Sequence, residues 1–181
     1  MVATQSSTKS KYSGVLQMKK KNRAAGIIAP FVGAGLIAGA DLYIKDRMDR
    51  ELPGEESEVK KGILRFRRHH NRGAFLNLGQ KYPQEVRGIS LAATVISFLM
   101  LAFSVTKRGR VLEKTGLACI LGGALSNTYD RVKKQYVMDY VSLDVKPQKI
   151  RNLVFNLSDL FIGIGLIFVL ISNITSKDRA L

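Results

Sequence analysis

Three aspartates stand at the edges of apolar runs. Asp130 and Asp139 lie in "SNTYDRVKKQYVMDY", and Asp159 lies in "FNLSDLFIGIGLIFVL". An ionised Asp at the centre of a membrane helix costs roughly 2.5–3.5 kcal/mol on insertion scales, and nearer the interface it still needs a partner. Asp139 can be that partner if its segment folds back over the start of the last apolar run. About 20 residues separate the two, so the loop closes easily. Two carboxylates in one semi-dry site do not both ionise; one keeps a proton and its pKa rises. Acid and base then stand in contact with water between them. The base draws a proton from water while the acid protonates a carbonyl oxygen, and a peptide bond is hydrolysed with no covalent intermediate. Spacing alone leaves a plainer alternative open: Asp159 as a charge near a helix start with Asn156 or Ser158 as cap, and Asp139 as a loop charge. A lone intramembrane Asp also suits the proton or cation site of a transporter or channel subunit.

The elements that must position these residues are read from the apolar blocks. The 181 residues allow one domain. Four segments approach the roughly 20 residues needed to cross a bilayer: Ala24 to Ile44, Gly88 to Thr106, Val111 to Tyr129 and Leu153 to Ile174. The third is the most polar, with Glu113 and Lys114 near its start and Ser126 and Asn127 near its end. The runs are continuous rather than alternating, and backbone groups in hydrocarbon must bond internally, so helices are expected. On this reading Asp159 lies about a turn and a half into the fourth span, with Asn156 one turn earlier on the same face. Gly35 and Gly39 form a G-x-x-x-G pair whose face is expected to pack on a neighbouring helix.

The short link "KRGR" makes the middle spans an antiparallel hairpin, and four spans place both termini on one side. A raw count of Lys and Arg favours the long loops. The basic cluster abutting the first span and the basic link favour cytoplasmic termini, and the second criterion decides. The chain then divides into a disordered basic cytoplasmic tail (1–23), a four-helix membrane domain (24–175) and a short cytoplasmic tail (176–181). Two larger loops lie outside. In the first, Ile63, Leu64 and Phe66 among arginines suit a short strand or an interfacial piece. In the second, Tyr136, Val137, Tyr140 and Val141 favour a strand.

The net charge of +15 clusters between apolar blocks, which fits loops beside anionic lipid better than a nucleic-acid surface. Arg65, Arg67, Arg68 and Arg72 are a headgroup-facing basic group. Cys119, the single cysteine, sits in an apolar block and is expected to be buried and inert. His69 and His70 point apart in a strand and are the only histidines. Zinc needs three or four ligands, so no metal or cofactor is expected. No phosphate loop, dinucleotide motif or nucleophile elbow is present.

Four motifs carry a resemblance. "GGALSNTYDRVKKQYVMDYV" and "FNLSDLFIGIG" resemble the two signatures of the lipoprotein signal peptidases (signal peptidase II). "DLYIK" resembles that family's first-span ending, and "HNRGAF" its Asn-x-Gly-Ala-Phe element. All four come in the family's order and approximate spacing. The resemblance implies four transmembrane helices with a small extracytoplasmic β element and an interfacial segment. It also implies an intramembrane aspartyl endopeptidase of the bacterial cytoplasmic membrane. That enzyme removes signal peptides from diacylglyceryl-modified prolipoproteins, just before the lipid-bearing Cys. By position Asp139 and Asp159 match its catalytic pair. Asn71 and Arg131 match residues that contact substrate or hold the site, and Asn127, Asp130 and Asn156 match supporting residues. Asp41 and Lys45 match the outer end of the first span. Lipidated substrates and membrane lipids are the expected partners, and a monomer the expected state. A non-catalytic, lipoprotein-binding relative is the alternative. The chain departs from the pattern at Ser126, where the family usually has Gly. It also lacks a Thr before Lys45, carries a shorter Asn71 element and has a longer basic tail.

Overall fold

The computed structural model describes residues 3–52, 58–74 and 78–177. Helix α1 spans Ala3–Glu51 and is followed by strands β1 (Glu58–Lys61) and β2 (Leu64–Asn71). Helices α2 (Pro83–Thr106) and α3 (Val111–Lys133) come next. Strand β3 (Val137–Leu143), a short helix α4 (Gln148–Arg151) and helix α5 (Leu157–Lys177) complete the order.

Among the described residues three helices contain stretches long and apolar enough to cross a membrane: Arg23–Glu51, Pro83–Thr106 and Leu157–Thr175. Helix α3, the fourth expected span, falls short of that measure in composition. Its place in the bundle gives the reason. It packs against α1, α2 and α5, so it faces protein where the others show large apolar side chains outward, among them Leu36, Phe98, Phe103, Ile167 and Leu170. Surrounded by protein, a helix can carry polar groups provided that each finds a partner. Glu113 accepts from Ser104 Oγ at 2.8 Å and pairs with Arg110 at 2.7 Å. Thr128 Oγ1 lies 2.8 Å from Thr94 Oγ1 on α2. Cys119 is buried here too. Ala34, Leu101, Val105, Leu117, Ala118 and Leu121 form the apolar core around α3.

Close approach to α3 is made by glycines other than those first singled out. A Cβ on Gly123 would lie 2.5 Å from the Ser158 carbonyl oxygen. One on Gly122 would lie 2.8 Å from that of Ala34, and one on Gly165 2.5 Å from that of Gly116. At Gly35 and Gly39 nothing lies within 4 Å. The G-x-x-x-G face is therefore open, and α1 packs through Ala34, Ala38, Asp41 and Lys45, all buried.

The two connections on the site's end of the bundle fold together as one antiparallel sheet, ordered β1-β2-β3. Gly62, at φ 64, opens the two-residue turn between β1 and β2, where a positive φ matches the strands' twist. The described part of the first loop is thus a hairpin, and the short helix α4 lies in the second loop. The sequence "HNRGAF" runs out of the described residues at Phe75. The tail expected to be disordered is helical from Ala3. That stretch has no proline and several good helix formers, although the apolar part of α1 begins only at Arg23.

The helices are tied at this end by a buried ionic knot. Lys45 on α1 is fully enclosed, as are Asp41 and Asp130. Its Nζ lies 2.8 Å from Asp41 Oδ2 and 3.1 Å from Asp130 Oδ2, and donates to Asn127 Oδ1 at 2.8 Å and Ser126 Oγ at 3.1 Å. Asp41 also accepts from the hydroxyls of Ser126 (2.6 Å), Ser158 and Tyr140 (3.2 Å). One cluster thereby joins α1, α3, β3 and α5. Burial, with the Asp41 charge beside it, pushes the Tyr140 phenol well above its ordinary pKa, so it stays a donor.

Gly123→Ala is expected to cost about 1–3 kcal/mol through overpacking, read as a lower Tm in detergent, while Gly35→Ala leaves Tm unchanged. Lys45→Met strands two buried carboxylates and is expected to cost about 3–5 kcal/mol. A Tm within a degree of the parent's would show that the knot does not hold the bundle.

Candidate active site

The turn from α3 into β3 and the start of α5 bring Asp139 and Asp159 to one place. Asp139 comes from β3, opposite His69 of β2, and β3 is tied to the approach of α5 by the bridge between Val141 and Phe155. The second loop therefore folds back over the start of the last helix, as the spacing allows. Asp159 sits lower in register than expected. Helix α5 begins at Leu157, not Leu153, because Phe155 is bridged to Val141 of β3, so Asp159 is in the first turn. Asn156 precedes the helix and caps it. Its Oδ1 accepts from the Asp159 backbone N–H at 3.0 Å, and Asp159 Oδ2 accepts from the Asn156 N–H at 3.2 Å. "NLSD" is thus a reciprocal capping box with Asn and Asp in place of the usual Ser/Thr and Glu.

The cap does more than end a helix. Asn156 Nδ2 donates to Asp139 Oδ1 at 2.7 Å and to Asn127 Oδ1 at 3.2 Å. Asn127 Nδ2 donates onward to Asp159 Oδ1 at 2.9 Å. A chain of two amides therefore runs from one carboxylate to the other. Asn127 Oδ1 also receives Lys45, which fixes which end of its amide points at Asp159. Asn71, the last residue of β2, donates to Asp139 Oδ2 at 3.0 Å, and its own oxygen is held by the Gly73 N–H at 3.0 Å. Asp139 is 1% exposed, and its carboxyl is pushed up to about 7. Burial is the main cause and the Asp159 charge the second, partly offset by the donors Asn71 and Asn156.

Both carboxylates line a cavity of about 450 Å³ whose polar end is Asn71, Asn127, Arg131, Asp139 and Asp159. Its remaining wall is mostly apolar and includes Ile89, Ala93, Ala124, Ile162 and Leu166 from α2, α3 and α5. Arg131 is anchored at the rim by the Gly73 carbonyl at 2.9 Å.

The structure assembles all nine candidate residues at one end of the bundle, in two layers. Asn71, Asn127, Arg131, Asp139 and Asp159 line the cavity, and Asn156 sits behind them, bonded to Asp139 and Asn127. Asp41, Lys45 and Asp130 form the knot, in which the two carboxylates hold Lys45 and Lys45 holds Asn127. Ser158 and Tyr140 were read from the sequence only as a possible cap and a strand former, yet both hold Asp41. The signal that could have found Ser158 is a hydroxyl beside an Asp at the mouth of an apolar run. Ser126 fills its position with a hydroxyl placed between Asp41 and Lys45. His70 stacks on Tyr136 at 4.1 Å, with Asp49 3.6 Å from its Nε2. Among the described residues no three His, Cys, Asp or Glu side chains are grouped to hold a metal ion.

Comparison with known proteins bears on this arrangement. Residues 33–175 match the family described as Signal peptidase (SPase) II. The chain is 28% identical over 139 residues to a lipoprotein signal peptidase of Mesorhizobium japonicum, covering 77% of this chain and 81% of that one. It is 34% identical over 112 residues to that of Brucella ovis, covering 62% and 68%. In fold it is similar to two bacterial membrane enzymes solved by the in meso method. Their TM-scores are 0.69 and 0.62, each at 20% identity, and they cover 83% and 80% of this chain. With the family match running from the middle of α1 almost to the end of α5, the chain belongs to the signal peptidase II family of peptidases.

Proposed function

We propose that the protein is an intramembrane aspartyl endopeptidase. It removes signal peptides from diacylglyceryl-modified prolipoproteins, cutting before the lipidated Cys. The observation that carries this reading is the placing of Asp139 and Asp159 on one cavity, joined through Asn156 and Asn127, at the boundary between an apolar groove and the sheet.

The pair shares one proton. Asp139, with its carboxyl near 7, is the member that holds it at neutral pH, and Asp159 is the general base. Water between them is deprotonated by Asp159 as it attacks the scissile carbonyl, while Asp139 protonates the carbonyl oxygen. Asn71 and Asn156 keep Asp139 oriented, and Asn127 does the same for Asp159. Arg131 at the rim faces the substrate backbone. The apolar wall from α2, α3 and α5 takes the signal helix and acyl chains. The cut then falls where the spans meet the headgroups.

All of these groups come from one chain, so a monomer suffices. Helix α3 completes four spans because the other three surround it, and both termini are cytoplasmic in the bacterial inner membrane. The sheet and the site then face outward.

Asp139→Asn and Asp159→Asn are each expected to lower product formation from a purified diacylglyceryl-prolipoprotein in nanodiscs by at least about 100-fold, with Tm near the parent's. A folded parent that cleaves none of several lipidated substrates would overturn the reading. Because the acid form of Asp139 is needed, kcat/KM is expected to fall as pH rises past about 7. Asn71 stabilises the ionised form, so Asn71→Ala raises the Asp139 pKa further and moves that limb to higher pH. A limb that stays in place or moves down would argue against Asp139 as the acid.

A further inference from the structure

A second cavity, of about 120 Å³, opens beside the first. It is lined by Arg72, Pro83, Gln84, Arg87, Arg131 and Gln135. Every charged group in that lining is an arginine, and no carboxylate is among them. Glu85, in the same turn of α2, is exposed and outside the lining. The arginines of β2 are engaged elsewhere: Arg67 donates to the Asn152 carbonyl at 3.0 Å, Arg68 to that of Asp49 at 3.3 Å, and Arg65 lies 3.9 Å from Asp144. Arg72, one residue beyond the strand, turns to the cavity instead.

Two further features favour an anion here. Pro83 and Gln84 open α2, whose preceding residue Tyr82 makes no side-chain capping bond, so the positive end of a 24-residue helix faces the site. Arg131 lines both cavities, and its Nε is enclosed with no acceptor. Arg131 already faces the charges of Asp139, Asp159 and Asp130, so the positive charge left for an anion is chiefly that of Arg72 and Arg87. A phosphate ester matches their forked donors better than a point charge does.

We propose that this cavity is a phosphate-ester site that takes the headgroup of an anionic phospholipid next to the active site. The inference rests on the orientation proposed above, which puts the start of α2 and the end of α3 at headgroup level, and not on the protease chemistry. The phosphate is held by Arg72 and Arg87 and restrains Arg131 from the side away from the aspartates. Free inorganic phosphate shares the chemistry, and the test separates the two sources.

The full chain in non-ionic detergent is titrated calorimetrically with dihexanoylphosphatidylglycerol below its micellar concentration, and separately with inorganic phosphate. The parent is expected to bind the lipid, with affinity reduced at least about tenfold in Arg72→Gln/Arg87→Gln, the loss of one or two charge-assisted contacts. Phosphate is expected to compete weakly. Variant-sensitive binding of phosphate without the lipid supports the anion site and assigns it to the free ion. Binding of both ligands equally by parent and variant, or by neither, overturns the proposal. Should the double variant fail to fold, Arg72→Gln alone, at an exposed position, gives the same readout. Cleavage is not measured, so the outcome is separate from that of the peptidase reading.

Discussion

A single buried ammonium organises this end of the molecule. Lys45 is fully buried and meets two carboxylates, a hydroxyl and an amide oxygen. Burying a charge is costly unless it is paired and fully hydrogen-bonded. Two carboxylates around one ammonium leave a negative excess, and the hydroxyls of Ser126, Ser158 and Tyr140 turn toward Asp41 to meet it. Those donors sit on three different elements. The relative positions of α1, α3, α5 and β3 are therefore constrained by one electrostatic requirement in addition to the close packing at the glycines of α3.

The candidate site depends on that constraint through Asn127. Its amide oxygen is claimed by Lys45, which leaves its nitrogen for Asp159. The Asn156 amide, fixed by capping α5, supplies the link to Asp139. The orientation of each amide is thus dictated by a charged neighbour, and the two carboxylates are held by donors that cannot exchange roles. This is the kind of supporting shell that keeps a reactive pair in a defined geometry. It also explains why α3, with its polar end residues, is the innermost helix. Helix α3 contributes Asn127, Asp130 and Arg131, and its glycines Gly116, Gly122 and Gly123 let α1 and α5 come close enough to reach them.

Much of the site was legible in the chain because carboxylates in apolar runs are rare for an energetic reason, and a residue kept there marks a partner elsewhere. The length of the continuous apolar blocks likewise placed α2, ending at Thr106 as expected and beginning at Pro83 rather than Gly88. It failed where local pattern and tertiary setting part company. "LVFN" continues the apolar run of α5, yet Phe155 is bridged to Val141 of β3. Gly35 and Gly39 have the spacing of a packing motif, yet their face of α1 is open. Both errors have one source, since an apolar residue looks the same whether it meets lipid or protein.

What the sequence determined by itself was the inventory: helices long enough to span, strands between them, two aspartates near the same boundary, and a family signature around each. Composition and spacing carry that information because hydropathy and local turn chemistry act over short distances. Only the tertiary structure decided that Asn127 and Asn156 connect the pair, that Ser126, Ser158 and Tyr140 serve Asp41, and that Arg72 and Arg87 meet Arg131 around a second cavity. Those contacts join residues up to 117 positions apart, and the direction in which a side chain points across such a distance is set by packing and by the need to satisfy every buried charge.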